Sequence, residues 1–97
     1  MFIMNASEII LEIDELVKSQ TEGVYSKWRI GRANDAQDSK TQHGNPDSWH
    51  DWDADTVEDA INVESNFVEK GMRQEGEGYG NADFIYVFFG GSPQENL

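Results

Sequence analysis

The sequence predicts an α+β fold, in which a small antiparallel or mixed sheet of about three strands packs against two main helices. Three patterns favour this class: two segments with apolar residues at helical spacing, one segment that alternates apolar and polar residues, and one strand-like segment that is apolar on both faces. A chain of 97 residues is long enough for one modest core. We therefore expect residues 1–97 to form a single domain.

The first element is an amphipathic helix, predicted over residues 5–22. Asn5, followed three positions later by Glu8, resembles a capping box, in which each side chain accepts a hydrogen bond from the other residue's backbone. Gly23 ends the pattern. The core-facing positions are Ile9, Ile13, Leu16 and Val17.

The next elements are a strand, a loop and a second strand. Residues 25–32 alternate, with Trp28 and Ile30 facing one way, which predicts a half-buried strand. Residues 34–48 are almost free of large apolar side chains, so we expect a loop with one exposed helical turn after Asp35. Residues 49–53 are short and aromatic, and we interpret them as an edge strand.

A second, acidic helix is predicted over residues 55–71. Asp55 and Glu58 have capping-box spacing, and the apolar stripe ends near Gly71. The stripe consists of Val57, Ala60, Ile61, Phe67 and Val68.

The C-terminal part contains a flexible acidic loop, a strong strand and a frayed tail. The loop carries alternating glycines at 76, 78 and 80, and the tail covers residues 90–97. Residues 84–89 (FIYVFF) are apolar on both faces, which places this strand in the middle of the sheet.

The charge of the chain is strongly negative and unevenly distributed. The formal net charge is −12, and residues 44–69 hold eight acidic residues without one Lys or Arg. Such a field repels phosphate backbones and attracts basic partners, so we expect no direct contact with nucleic acid. The chain has no cysteine and no apolar run long enough to span a membrane, and we predict a cytoplasmic protein without membrane contact.

Two motifs suggest ligands but do not fit them. Residues 51–55 (DWDAD) open like a calcium loop, yet Thr56 stands where a glycine is needed and Asn62 where a glutamate is needed. The glycines at 76–80 could cradle a phosphate, but acidic residues surround them and no helix follows. We predict no cofactor and no metal.

Glu64 is unusual because its spacing places a carboxylate on the apolar stripe. Such a group is costly to bury unless it is paired or functional. One interpretation is an ion pair with Arg29 or Arg32. The other is an enzyme, a divergent metal-dependent nuclease or phosphodiesterase that uses Glu64, His43 and Arg32. The two histidines, His43 and His50, are otherwise expected to be exposed loop residues.

The order of Trp28-Arg29-Ile30-Gly31, His43 and Glu64 resembles GIY-YIG nucleases. The resemblance implies that residues 28–31 match the family's second motif strand, that Glu64 matches its metal ligand, and that residues 84–87 match a permuted partner strand. The chain departs from the pattern at 38–40 (DSK), where the family has a helical Arg, and it lacks the first motif strand before Trp28. The resemblance thus implies a nuclease scaffold without activity.

The whole chain also resembles the small acidic anti-restriction proteins of T-even bacteriophages, the Arn type. Shared features are the size, the acidic balance, the N-terminal helix, and the blocks 25–31 (YSKWRIG) and 49–54 (WHDWDA) before an acidic helix. Members are understood as DNA mimics. The resemblance implies a non-enzymatic inhibitor in the host cell cytoplasm, whose partner is a restriction endonuclease or a histone-like nucleoid protein.

The residues predicted to replace phosphates are Asp47, Asp51, Asp53, Asp55, Glu58, Asp59 and Glu69. Side chains four apart on a helix are separated by ~6 Å of rise, so the last four could form one anionic row. Trp49 and Trp52 would pack in the core or anchor the contact. A homodimer with a two-fold axis would lengthen the row. A third interpretation is a plain acidic adaptor, whose charge serves only solubility.

Overall fold

In the described part of the chain, a mixed five-stranded sheet carries three α-helices, and the predicted α+β class is confirmed. The structure is a computed structural model and describes residues 3–75 and 82–89. The elements are β1 (Ile3–Met4), α1 (Ala6–Thr21), a 3₁₀ turn (Tyr25–Lys27), β2 (Trp28–Ala33), α2 (Ala36–Gln42), β3 (His50–Ala54), α3 (Val57–Glu69), β4 (Arg73–Glu75) and β5 (Phe84–Phe89). The predicted glycine loop at 76–80 and the tail at 90–97 lie outside the described residues.

Strand β5 lies at the centre of the sheet, as its sequence predicts. The strand order is β1-β3-β5-β2-β4, and β5 runs antiparallel to both of its neighbours. Its four inner residues, Ile85–Phe88, are buried, because both faces of the sheet are covered at this strand. The sheet has two strands more than predicted, since β1 and β4 contain only two and three residues and are too short to show alternation.

Helices α1 and α3 cover one face of the sheet, which we call the first face. The core between them and the strands is apolar and includes Trp28, Ile30, Ile85 and Val87 from the sheet. The helices contribute Ile9, Ile13, Val17, Ala60, Val63 and Phe67. The predicted capping box is confirmed, with Glu8 N donating to Asn5 Oδ1 at 2.9 Å and Asn5 N donating to Glu8 Oε1 at 3.1 Å.

The opposite side, the second face, has a smaller cluster. Ala33, Trp49, Tyr86 and Phe88 are buried there. Part of the cover comes from the chain between β2 and β3, where one loop is expected over residues 34–48. Residues Ala36–Gln42 of this segment instead form a helix, capped by Asp35, whose side chain accepts a hydrogen bond from Asp38 N at 3.0 Å. The helix has no buried residue and therefore no apolar stripe by which to recognise it.

Three further boundaries differ from the prediction. Strand β2 begins at Trp28 because residues 25–27 form the 3₁₀ turn. Strand β3 is not an edge strand, because β1 pairs with its last two residues. Helix α3 begins at Val57, and its cap is Thr56, whose hydroxyl accepts from Asp59 N at 3.0 Å. The predicted capping box of Asp55 with Glu58 is therefore wrong by one position, and Asp55 precedes the helix.

No helix among residues 3–75 and 82–89 is long and apolar enough to cross a membrane.

A hydrogen bond from Tyr25 links the 3₁₀ turn to α1. This contact predicts that the protein loses stability at alkaline pH. The hydroxyl donates to Asp14 Oδ1 at 2.7 Å. This hydrogen bond to a carboxylate, together with burial and the negative charge of Asp14, raises the pKa of Tyr25 from 10.0 to about 12. Because the folded-state pKa exceeds the unfolded-state value, the contribution is complete below pH 10.0 and is lost as the pH rises towards about 12.

We expect Tyr25→Phe to lower the free energy of unfolding by about 1 kcal/mol at pH 8, the usual value of one such hydrogen bond. Urea unfolding of both proteins, followed by circular dichroism over the alkaline range, measures the difference. The two curves should converge as the wild-type tyrosine ionises. A difference that is unchanged at the highest pH would contradict the assignment.

Candidate functional site

The main anionic feature is a row of three carboxylates on β3 and on the residue that directly follows it, not a row on α3. Asp51 pairs in register with Tyr86 and Asp53 with Phe84, which places both carboxylates on the second face. Asp55 is the next residue of the same parity and is exposed. We call Asp51, Asp53 and Asp55 the β3 carboxylate row. Residues two apart on a strand are separated by about 7 Å, so the row is ~13 Å long.

Negative charge is crowded at the middle of this row. Burial and the nearby carboxylate of Asp83 raise the pKa of Asp53 above its ordinary value of 3.8. Asp83 is held there by the backbone, because its carbonyl oxygen accepts from Ala54 N at 2.9 Å. The fold therefore keeps two like charges close together, which costs stability unless a cation approaches.

The other predicted phosphate mimics are more scattered. Glu58 and Asp59 lie in the first turn of α3, directly after the row, where the helix dipole favours negative charge. Glu69 is eleven residues beyond Glu58, which is about 16 Å along the helix. Asp47 is exposed in the loop before β3. Five of the seven residues thus lie within residues 51–59, and α3 itself does not carry a continuous row.

The two tryptophans of this segment have different roles. Trp49 is 8% exposed and packs in the second-face cluster, and its indole Nε1 donates to Asp51 Oδ2 at 2.7 Å. Trp52 is partly buried on the first face, and its Nε1 donates to Glu12 Oε1 at 2.8 Å. Each indole therefore holds a carboxylate in place at the surface.

Glu64 forms the ion pair that was one interpretation of its position. It is 5% exposed, and its Oε1 lies 3.2 Å from Arg32 Nε, while its Oε2 is buried without a hydrogen-bond partner. Arg32 Nη1 also donates to Ala82 O at 3.1 Å. The pair joins α3, β2 and the start of the β5 segment.

The residues of the alternative enzyme do not assemble into one centre. Glu64 is on α3, on the first face, whereas His43 contacts Tyr86 and Phe88 on the second face. The sheet therefore lies between them. Within the described part of the chain, no group of three or more His, Asp or Glu residues is arranged to hold a metal ion.

Sequence reasoning missed an aromatic cluster on the second face. Tyr86 is 1% exposed, its hydroxyl lies 3.1 Å from His43 Nε2, and its ring stacks on Trp49 with centroids 4.4 Å apart. The phenol crosses the backbone of Gly31, where any Cβ would clash with it. Two signals could have indicated the cluster: a glycine inside a predicted strand, and a tryptophan at the end of a polar loop.

No protein-family model, curated protein or solved structure matches the chain.

Burial of Asp53 and the nearby charge of Asp83 raise the pKa of Asp53, which predicts a pH dependence of stability opposite to that of a salt-bridged aspartate. Because the folded-state pKa is raised, the folded protein binds this proton more tightly, and stability falls as the pH rises through the raised value. We expect Asp53→Asn to raise the free energy of unfolding at pH 7, and the gain to shrink as the pH approaches 3.8. Asp47→Asn removes the same charge from the preceding loop and is the matched control. Equal gains in the two variants would show that only net charge matters.

The buried pair of Arg32 and Glu64 predicts a large cost for removing one partner. Glu64→Ala leaves the guanidinium without its anion and should cost about 3–5 kcal/mol, whereas the double replacement Arg32→Met with Glu64→Leu should recover most of that loss. Chemical unfolding of the single and double variants measures both effects. A Glu64→Ala variant as stable as the wild type would mean that the pair is not formed.

Proposed function

We propose that the protein is a non-enzymatic, acidic inhibitor that occupies the DNA-binding site of a host restriction endonuclease or histone-like nucleoid protein. It acts in the cytoplasm and does not itself bind nucleic acid. The observation that carries the proposal is the β3 carboxylate row, in which Asp51 and Asp53 are on a strand of the sheet and Asp55 directly follows that strand.

The charge density of this surface is similar to that of a DNA strand. The row and the adjacent Asp83 supply four carboxylates along ~13 Å. One strand of B-DNA has one phosphate per 3.4 Å of axis, or about four over this length. Glu58 and Asp59 continue the negative surface into the first turn of α3.

These carboxylates are available to a partner. The described ion pairs use Asp14, Glu64 and Glu75, and none of the acids in the row, in α3's first turn or at Asp83. Lys and Arg number only seven against nineteen Asp and Glu, so most carboxylates have no internal counter-charge. A basic cleft would relieve the repulsion at Asp53 and gain electrostatic complementarity.

The two other interpretations are less well supported. The nuclease would need Glu64 and His43 in one centre, and they lie on opposite sides of the sheet. The acidic adaptor requires only charge and does not explain why two carboxylates are held together at Asp53. A homodimer remains compatible with the proposal, because a two-fold pair would present the row twice.

The proposal is tested by competition with DNA. The tagged protein is immobilised, incubated with bacterial lysate at low salt, and eluted first with duplex DNA and then with a salt step. We expect DNA to release DNA-binding proteins, and the affinity of the purified target to fall steeply with salt. If the DNA eluate contains no DNA-binding protein and all bound proteins appear only in the salt step, the inhibitor role is wrong.

A matched pair of variants separates mimicry from general charge. The variant D53N/D55N/E58Q removes three charges from the proposed surface. The variant E8Q/E15Q/E22Q removes three charges from α1 and its C-terminal cap, while a glutamine at position 8 preserves the capping box. We expect the first variant to weaken binding of the target by at least about tenfold, the effect of ~1.4 kcal/mol, and the second to have little effect. Equal weakening by both would favour the adaptor.

A further inference from the structure

Strand β4 (Arg73–Glu75) forms one edge of the sheet. It stands at the end of the strand order, and among the described strands it pairs with β2 alone. Arg73 and Gln74 are exposed, and Glu75 is half-buried. The unpaired side of an edge strand presents backbone N–H and C=O groups to which a further strand can add. This edge is distant from the β3 carboxylate row, because β5 and β2 lie between β3 and β4.

The side chains of this edge are complementary to those of a second copy of the chain. In an antiparallel pair of two β4 strands centred on Gln74, Arg73 of each copy lies directly opposite Glu75 of the other. Opposite charges at opposed positions of antiparallel strands stabilise the pair, and like charges there destabilise it. A parallel pair in the same register would place like charges together. The sequence of the edge therefore favours antiparallel pairing with itself.

Arg73 has no such neutralisation within its own sheet. Its register partner on β2 is Arg29, so two residues of like charge face each other across the strands. Glu75 is paired with Arg29, whose Nη1 lies 3.1 Å from Glu75 Oε2. The ion pairs given for the described residues do not include Arg73. A Glu75 side chain from a second copy would supply the carboxylate that Arg73 lacks.

Helix α3 carries an exposed apolar flank formed by Ile61 and Val68. These side chains are 41% and 37% exposed. Lys70, at the C-terminal cap of α3, pairs with Asp14 of α1 at 3.2 Å and so marks the flank that faces α1. Ile61 is nine residues from Lys70, about two and a half turns, and Val68 is two residues away, about half a turn. Both therefore lie on the flank that faces away from α1.

The direction away from α1 is the direction of β4. Helix α1 packs beside β3, where Trp52 Nε1 donates to Glu12 Oε1 at 2.8 Å. Helix α3 packs over β2, where Arg32 pairs with Glu64. Strand β4 lies on the far side of β2 from β3. The apolar flank of α3 is therefore on the side of the molecule that ends at the β4 edge.

A two-fold pairing of β4 uses both features. Antiparallel strands of one sheet are related by a two-fold axis perpendicular to the sheet, so the two copies of α3 lie on the same face with their apolar flanks towards each other. A three-residue edge is smaller than the ~1,000 Å² that a specific interface needs, and the helix contact adds to it. Repulsion between two acidic chains is reduced at this edge, because Arg29 and Arg73 lie there.

We propose that two copies of this chain associate through β4 and form one continuous sheet with five strands from each copy. Arg73 and Glu75 form ion pairs across the two-fold axis, and Ile61 and Val68 of the two α3 helices cover each other. The interface does not depend on the inhibitor role, because it lies at the opposite edge of the sheet from the β3 carboxylate row.

Analytical ultracentrifugation of the full chain, from micromolar to millimolar concentration, tests the association. We expect a reversible equilibrium between monomer and dimer. Arg73→Glu places carboxylates opposite each other across the axis and should weaken dimerisation by at least about tenfold. Lys18→Glu makes the same change of charge at an exposed position of α1 and should dimerise like the wild type. A wild-type protein that is monomeric at every concentration would overturn the proposal, as would equal weakening by the two variants.

A mixture of two variants tests the orientation of the pair. Glu75→Arg opposes guanidinium groups and should also weaken dimerisation. Mixed with Arg73→Glu, it restores opposite charges at both opposed positions, so the heterodimer should form at least about tenfold more tightly than either homodimer. Absence of this rescue would refute the antiparallel pairing. If Glu75→Arg fails to fold, the double exchange of Arg73→Glu with Glu75→Arg gives Arg29 a carboxylate in register and should dimerise like the wild type.

The helix contact and the occupant of the edge are tested separately. Ile61→Gln with Val68→Gln should weaken dimerisation by about tenfold, whereas Leu11→Gln with Val24→Gln, at exposed apolar positions elsewhere, should not. Equal effects would contradict the helix contact. Hydrogen exchange at the amides of residues 73–75 should slow as the protein concentration rises. Slow exchange in a monomeric sample would mean that another segment of the same chain covers the edge, and would overturn the proposal.

Discussion

The constraint on which the rest of the structure depends is that the central strand β5 is apolar on both faces. Its inner residues are buried, so each face of the sheet needs a cover. The two long helices provide one cover, with alternate residues of β5 such as Ile85 and Val87 in the main core. The other cover is smaller and uses Trp49 and the end of α2 around Tyr86 and Phe88. The two faces of one strand thus produce two different environments.

The β3 carboxylate row and a polar cleft beside α2 both follow from this arrangement. Strand β3 pairs with β5, so its alternation turns Trp52 and Ala54 to the first face and Asp51 and Asp53 to the second. The short polar helix α2 lies over the second face without burying any of its own residues, and a cleft of about 360 Å³ remains between α2 and the strands. The same side of the sheet therefore carries a regular row of fixed anions and a polar cavity.

Local patterns in the sequence are sufficient to predict the elements that depend only on residues close together in the chain. The Asn5 capping box needs only residues three apart, and β5 needs only its own composition. The start of α3 was misplaced because Asp55 and Thr56 are both good caps, and only the backbone path from β3 decides between them. Helix α2 was expected as a single turn because its seven residues contain no apolar stripe. The predicted anionic row lies on the acidic helix, at Asp55, Glu58, Asp59 and Glu69, whereas Asp51 and Asp53 are predicted on a separate short strand over residues 49–53.

The Arg32–Glu64 pair can be predicted in part from the sequence, whereas the aromatic cluster cannot. Glu64 on an apolar stripe indicated a buried partner, and a basic strand offered two candidates. The choice of Arg32 depends on strand parity, because Arg32 shares its face with Ile30 and Arg29 does not. No local pattern joins His43 to Tyr86, which are 43 residues apart. Such contacts depend on the order of strands in the sheet, which the sequence pattern does not specify.

The position of β5 in the chain has a consequence for how the protein acquires its structure. The strand at the centre of the sheet is the last described element, and it pairs with segments that begin at Trp28 and His50. Until it is synthesised, β2 and β3 have no common neighbour, and the helices have an incomplete surface to pack on. Folding should therefore be a late and concerted event, limited by the closure of long chain loops, and a ribosome-bound chain that lacks β5 should remain unstructured.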